Sequence, residues 1–293
     1  MTSGMTSDMT SALPPGACDC HTHVVGDPVR YPMVGDRKYT PGPAPVAALQ
    51  GHLRGLGLER VVIVQPSVYG TDNRCLLDSL VFFDGRARGV AVVDEGISPQ
   101  ALQALHAAGV RGLRINQESS GTTDAQGLVE SLRRWAGRLQ GLPWHLQVFA
   151  SLDTVAQAAP HLPVLGLPVV LDHFAMVSPE TSAGDPRLQA LLGLLRTGAA
   201  YIKLSAPYRI GGDAAGVSRL ARTFIETRPD RVLWASDWPH TDREPGKGPT
   251  EVSAYRTVPV AGLAAQFTDW APDDAARQLL LVDNPARLYG FGA

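Results

Sequence analysis

Cys18-Asp19-Cys20-His21-Thr22-His23, directly after Leu13-Pro14-Pro15-Gly16, is the stretch from which the fold is read. It reads as a first β-strand. Side chains alternate faces along a strand, which predicts Asp19, His21 and His23 on one face and Cys18, Cys20 and Thr22 on the other. Two imidazoles side by side at a strand end can grip one metal ion or one substrate oxygen. With eight histidines in the chain, such a pair also arises by chance, so its meaning depends on partners elsewhere.

Working outward, short apolar runs recur at residues 61–65, 89–93, 110–115, 144–149, 169–173, 201–205 and 231–237. Stretches with helical spacing separate them, among them Leu49, Leu53 and Leu56, the Ser98-Pro99 helix opening, and Leu188 to Leu195. Eight such runs are what parallel strands buried on both faces require. The predicted fold class is therefore α/β: a single (β/α)8 TIM barrel over residues 15–293, after a disordered lead at residues 1–14. A doubly wound sheet is the alternative, but it calls for a glycine-rich turn after an early strand, and Gly55-Leu56-Gly57 precedes one.

At 293 residues the chain can bury a large core. A formal net charge of −2, with no run of like charge, argues against a nucleic-acid surface or an anionic membrane as partner. The three cysteines are too few for a disulfide framework, which points to a reducing cytoplasm. No run approaches the roughly 18 apolar residues of a membrane span. Residues 1–11 lack the basic and apolar regions of a secretory signal.

In a barrel of this kind, catalytic side chains sit at the C-terminal strand ends, and polar residues fall there repeatedly. His21 and His23 end the first strand, Ser67 follows the second, and Arg114 ends the fourth. His173 ends the sixth, Ser205 and Arg209 follow the seventh, and Asp237 ends the eighth.

His21-Thr22-His23, Leu171-Asp172-His173 and Ser236-Asp237-Trp238-Pro239-His240 resemble the strand-end signatures of the amidohydrolase superfamily, in its amidohydrolase-2 branch. Gln65-Pro66-Ser67-Val68-Tyr69-Gly70-Thr71-Asp72-Asn73, Arg111-Gly112-Leu113-Arg114 and Asn284-Pro285-Ala286-Arg287-Leu288-Tyr289 resemble the 2-pyrone-4,6-dicarboxylate lactonase group within it. The resemblance implies hydrolysis of a small acidic lactone. Asp237 would take a proton from water attacking the ester carbonyl, and His21, His23 and His173 would polarise that carbonyl. It also implies a substrate clamp of Arg114 and Arg209, with Ser67 and Tyr39 in contact. Arg114 stands where a binuclear site would carry a bridging lysine or glutamate, which argues against two metals, and the resemblance to the lactonase group implies a metal-free site as the favoured expectation. A single Zn²⁺ would take His21, His23, His173 and Asp237. The rival readings are a mononuclear zinc decarboxylase and a barrel that binds an acid without turnover.

Departures from the group bear on the substrate. Asn116-Gln117-Glu118-Ser119-Ser120 and Phe174-Ala175-Met176-Val177 lack two cations that the dicarboxylate lactonases carry, and Tyr69 and Phe149 replace a histidine and a tyrosine. A lactone with one acidic group, or a sulfonate, fits better. Cys18 and Cys20 are expected to pack against the outer helices, Asp172 and Trp238 to support the cavity, and His145 to be a satisfied core histidine. His240 is placed to orient the site, His52, His106 and His161 have no assigned role, and Arg243 and Lys247 belong to a solvated loop at the mouth.

Overall fold

The computed structural model describes residues 13–118, 121 and 123–292. The lead expected at residues 1–14 lies outside them except for Leu13 and Pro14, as do Ser119 and Ser120 of the stretch quoted above. Eight parallel strands form one sheet in chain order: β1 (Cys18–Thr22), β2 (Arg60–Val64), β3 (Ala87–Ala91), β4 (Val110–Asn116), β5 (His145–Phe149), β6 (Val169–Leu171), β7 (Ala200–Leu204) and β8 (Val232–Trp234). The seam closes just beyond the strand ends. There Asp237 N donates to His21 O at 3.0 Å and His23 N to Trp238 O at 2.8 Å. The expected barrel is the observed one.

Helices alternate with the strands: α1 (Val46–Leu56), α2 (Arg74–Phe82), α3 (Pro99–Ala107), α4 (Ala125–Arg138), α5 (Leu152–Ala158), α6 (Pro186–Thr197), α7 (Ala214–Thr227) and α8 (Val260–Trp270). In α1 the leucines at 49, 53 and 56 fall on one stripe and are buried, and Gly57 ends the helix in the left-handed conformation that a residue without Cβ adopts freely. Ser98 caps α3 by accepting from Ala101 N, with Pro99 in the first turn. Each fully buried leucine contributes about 1.5–3 kcal/mol. No helix among the described residues is long and apolar enough to cross a membrane.

The alternation predicted for β1 fails. Asp19 pairs with Val61 and Thr22 with Ile63, so three steps on β1 face two on β2. This bulge carries one extra residue and turns neighbouring side chains to the same side. Cys18 and Cys20 consequently pack inside the barrel with Val62, Val64, Val170, Leu233 and Tyr289, not against the helices. Asp19 points outward, its Oδ2 3.9 Å from His52 Nε2 on α1, while His21 turns in.

Two loops roof the C-terminal mouth. Thr40–Pro41, in the loop after β1, pairs with Val252–Ser253 in the loop after β8. Thr40 Oγ1 donates to Pro249 O at 2.7 Å, and Tyr255 OH donates to Gly42 O.

Candidate active site

At the mouth of the barrel is a cavity of roughly 290 Å³. His23, Tyr39, Ser67, Arg114, His173, Arg209 and Asp237 all line it, and His21, fully buried, lies behind them with Nε2 3.3 Å from His23 Nε2 and 3.6 Å from Asp237 Oδ1. Seven of the eight expected site residues thus line one hollow.

Asp237 is central. Its φ of 62° lies in the left-handed region, where non-glycine residues are uncommon, and His173 at 51° shares this. Such strain persists where surrounding bonds over-determine it, and here both chain turns aim their side chains inward. Asp237 Oδ2 accepts from Tyr208 OH at 2.7 Å and from Arg209 Nε and Nη2 at 3.1 and 2.9 Å. Oδ1 is buried without a hydrogen-bond partner and lies 3.6 Å from His21 Nε2 and 3.8 Å from His23 Nε2. Burial alone would raise the carboxyl pKa. Arg209, the permanent charge beside it, outweighs burial, helped by the three imidazoles, and holds Asp237 far below the usual carboxylate range. Arg209 therefore turns its fork to Asp237, where the sequence suggested a clamp open to substrate.

The imidazoles are held from behind. His23 Nδ1 is 2.8 Å from Val64 O. A carbonyl only accepts, so His23 carries its proton on Nδ1 and presents a lone pair at Nε2. His173 Nδ1 is 2.8 Å from Ser205 Oγ, and its ring meets Phe149 edge-on at 4.8 Å. His21 Nδ1 is 3.2 Å from Asp172 Oδ1, whose other oxygen accepts from Gln147 Nε2 at 2.9 Å. Burial holds His23 and His173 down to about 4, so both are neutral at pH 7.

Arg114 is a half-buried cation whose Nε is buried without a hydrogen-bond partner, while Nη1 donates to Gln65 O at 3.3 Å. It has no carboxylate within ion-pair distance among the described residues. Burial lowers its pKa, and Asp172, Tyr39 and Asp237 work against that. Arg256, which the sequence reading missed, reaches the same cavity from the β8–α8 loop, paired with Asp242 and 5.2 Å over the Tyr208 ring. Arg243 lines the cavity too, whereas Lys247 pairs with Glu244 at 2.6 Å.

Three atoms able to offer a lone pair, His21 Nε2 (in the tautomer with its proton on Nδ1), His23 Nε2 and Asp237 Oδ1, lie within 3.3–3.8 Å of one another. That donor set fits one divalent ion. His173 is not in this trio; it groups with His21 and Asp172 instead, so the four-ligand set expected from sequence does not close around one point.

His145 departs from expectation: buried, with neither ring nitrogen partnered, it packs edge-on against Tyr289 at 5.2 Å. Burial drives it to about 3. His23, His52, His145 and His173, together with His21, which burial also holds well below its ordinary value, should each ionise near 6.5 once unfolded, so as pH falls from about 6.5 toward 4 the unfolded chain binds protons at five imidazoles that the fold keeps neutral. Asp19, pushed up to about 7 by burial, works oppositely, holding one proton that the unfolded chain releases. Five imidazoles against one carboxyl leave a net of roughly four protons, which predicts a loss of up to about 5.4 kcal/mol per pH unit as pH falls through that window. Calorimetric Tm, measured in chelator from pH 6.5 to 4.5, should drop steadily; a flat or rising Tm contradicts the balance.

The sequence profile of the amidohydrolases matches residues 18–291. The chain belongs to the amidohydrolase family. This amidohydrolase is 32% identical to a 4-sulfomuconolactone hydrolase of Hydrogenophaga intermedia over 95% of its own length and 90% of that protein's. It is 35% identical to a 2-pyrone-4,6-dicarboxylate hydrolase of Comamonas testosteroni, over 94% and 91%. Among solved structures, an Acinetobacter baumannii protein provisionally assigned as a 2-pyrone-4,6-dicarboxylic acid hydrolase, with citric acid bound, is 26% identical at a TM-score of 0.75. The match covers 94% of the amidohydrolase and all of that chain.

Proposed function

We propose that this amidohydrolase opens the ring of a small anionic lactone by adding water to the ester carbonyl. One observation carries the reading: the unpartnered oxygen of an ionised buried carboxylate, Asp237 Oδ1, shares the mouth cavity with Arg114, a half-buried cation that pairs with no carboxylate among the described residues. An ester bearing an acid group supplies what both lack. The two relatives named above are hydrolases of acidic lactones, and both cover nearly the whole chain.

Arg114 takes the substrate acid through its planar fork, and Tyr39 and Ser67 contact the ring from the roof and wall. Water bound at Asp237 Oδ1 is aimed at the carbonyl carbon. A carboxylate held so firmly ionised is a weak base, so it accepts the proton only as the new C–O bond forms. The hydroxyl adds to carbon, the ring C–O bond breaks, and Asp237 returns the proton to the departing ring oxygen. His21 and His173 face the developing oxyanion. The expectation of a metal-free route is kept; an ion held by His21, His23 and Asp237 would supply Lewis-acid polarisation of the same carbonyl. Arg209 and Tyr208 hold Asp237 Oδ2, leaving Oδ1 for the water.

A substrate with one carboxylate or sulfonate suits the cavity better than a dicarboxylate, because Arg209 and Arg256 already face Asp237 and Asp242. The test is a panel of 4-sulfomuconolactone, 2-pyrone-4,6-dicarboxylate and an uncharged lactone, followed by acid release. Charged lactones should open at least a hundredfold faster (kcat/KM) than the uncharged one, on the order of the discrimination a buried charge pair gives. No acid release from any of the panel overturns the reading.

A further inference from the structure

Below the cavity floor lies a buried ion layer that none of these steps uses. Lys203, fully buried on β7, donates to Gln147 Oε1 at 2.6 Å. Its Nζ is also 3.4 Å from Asp172 Oδ1 and 3.3 Å from His21 Nδ1. The same His21 nitrogen lies 3.2 Å from Asp172 Oδ1. An ammonium group only donates and a carboxylate only accepts. Nδ1 therefore has a partner at nearly equal range for either state, a lone pair facing Lys203 or an N–H facing Asp172.

The far side of the ring decides between them. His21 Nε2 is 3.3 Å from the lone pair of His23 Nε2 and 3.6 Å from Asp237 Oδ1. In the metal-free state, only a proton on His21 Nε2 makes these contacts attractive. A neutral imidazole protonated there needs a donor at Nδ1, and Lys203 is the donor within reach.

We infer that Lys203 is a positioning residue that keeps the proton of His21 on Nε2. The ring then meets the ester oxygen as a hydrogen-bond donor and accepts a divalent ion only after its proton moves to Nδ1, against Asp172. The inference rests on His21 belonging to the proposed site, but its test reads the ring and not turnover.

Two-bond ¹⁵N–¹H spectra of the chelator-stripped protein, labelled at histidine, report the tautomer; His21 is assigned from the signal lost in H21Q. Zinc affinity is measured by competition with a chromophoric chelator. Lys203→Met keeps the chain length and removes the charge, while Asp172 retains Gln147 and gains the His21 N–H. The wild type should show the proton on Nε2. K203M should show it on Nδ1 and bind zinc at least tenfold tighter, the lower end of what partners of metal-binding histidines confer. A wild-type His21 carrying its proton on Nδ1 overturns the inference, and this readout stands even should K203M fail to fold. Equal tautomer and zinc affinity in the two proteins overturns it as well. The expected spectra in a protein that opens no lactone would count against the proposed reaction and leave the role of Lys203 intact.

Discussion

Asp237→Asn should lower kcat by about 10³–10⁴ while KM changes only a few fold, a loss at the upper end of what removing a positioned base gives. The orientation of the new amide follows from its surroundings. Tyr208 OH and both Arg209 nitrogens donate to the present Oδ2, so the asparagine must turn its oxygen to them and its NH₂ to the place of Oδ1. A donor then stands where water needs an acceptor, while Arg114 and the cavity walls are unaltered. Steady-state kinetics on the best substrate of the panel checks this. A kcat within tenfold of wild type would remove Asp237 from the chemistry.

Arg114→Met should act on the other parameter. Leaving a bound acid buried opposite a thioether costs about 2–5 kcal/mol, which weakens apparent affinity by roughly 30-fold to several thousandfold. The slow background reaction of an uncharged lactone should be unchanged, because nothing in that substrate called on the guanidinium. Equal losses on charged and uncharged lactones would show that the substitution had disturbed the cavity instead of removing an anion contact.

Much of this was legible in the chain before folding. A parallel strand buried on both faces has to be apolar throughout, so 61–65 and 169–173 announce themselves, and the polar residues that close such runs, His173 and Asp237 among them, fall at the mouth. The β1 bulge was not legible: a period of two has no way to register one inserted residue, and Cys18, Cys20 and Asp19 were therefore assigned to the wrong sides. Lys203 did leave a signal, a charge inside the apolar run Tyr201-Ile202-Lys203-Leu204, at the parity that faces inward with Tyr201. Arg256 and Tyr208 left none, because irregular loops carry no period. That Arg209, while lining the hollow, turns Nε and Nη2 to Asp237 is a matter of hydrogen-bond direction, which no spacing encodes.

The roof stitched from Thr40–Pro41 and Val252–Ser253 has a consequence for biosynthesis. A chain emerging from the ribosome has made all three site imidazoles by residue 173 and gains its carboxylate at 237, yet Thr40–Pro41, next to Tyr39, meets its partners only when residues 249–255 arrive. The roof over the hollow is thus joined only after the last barrel strand and the loop that follows it have been made.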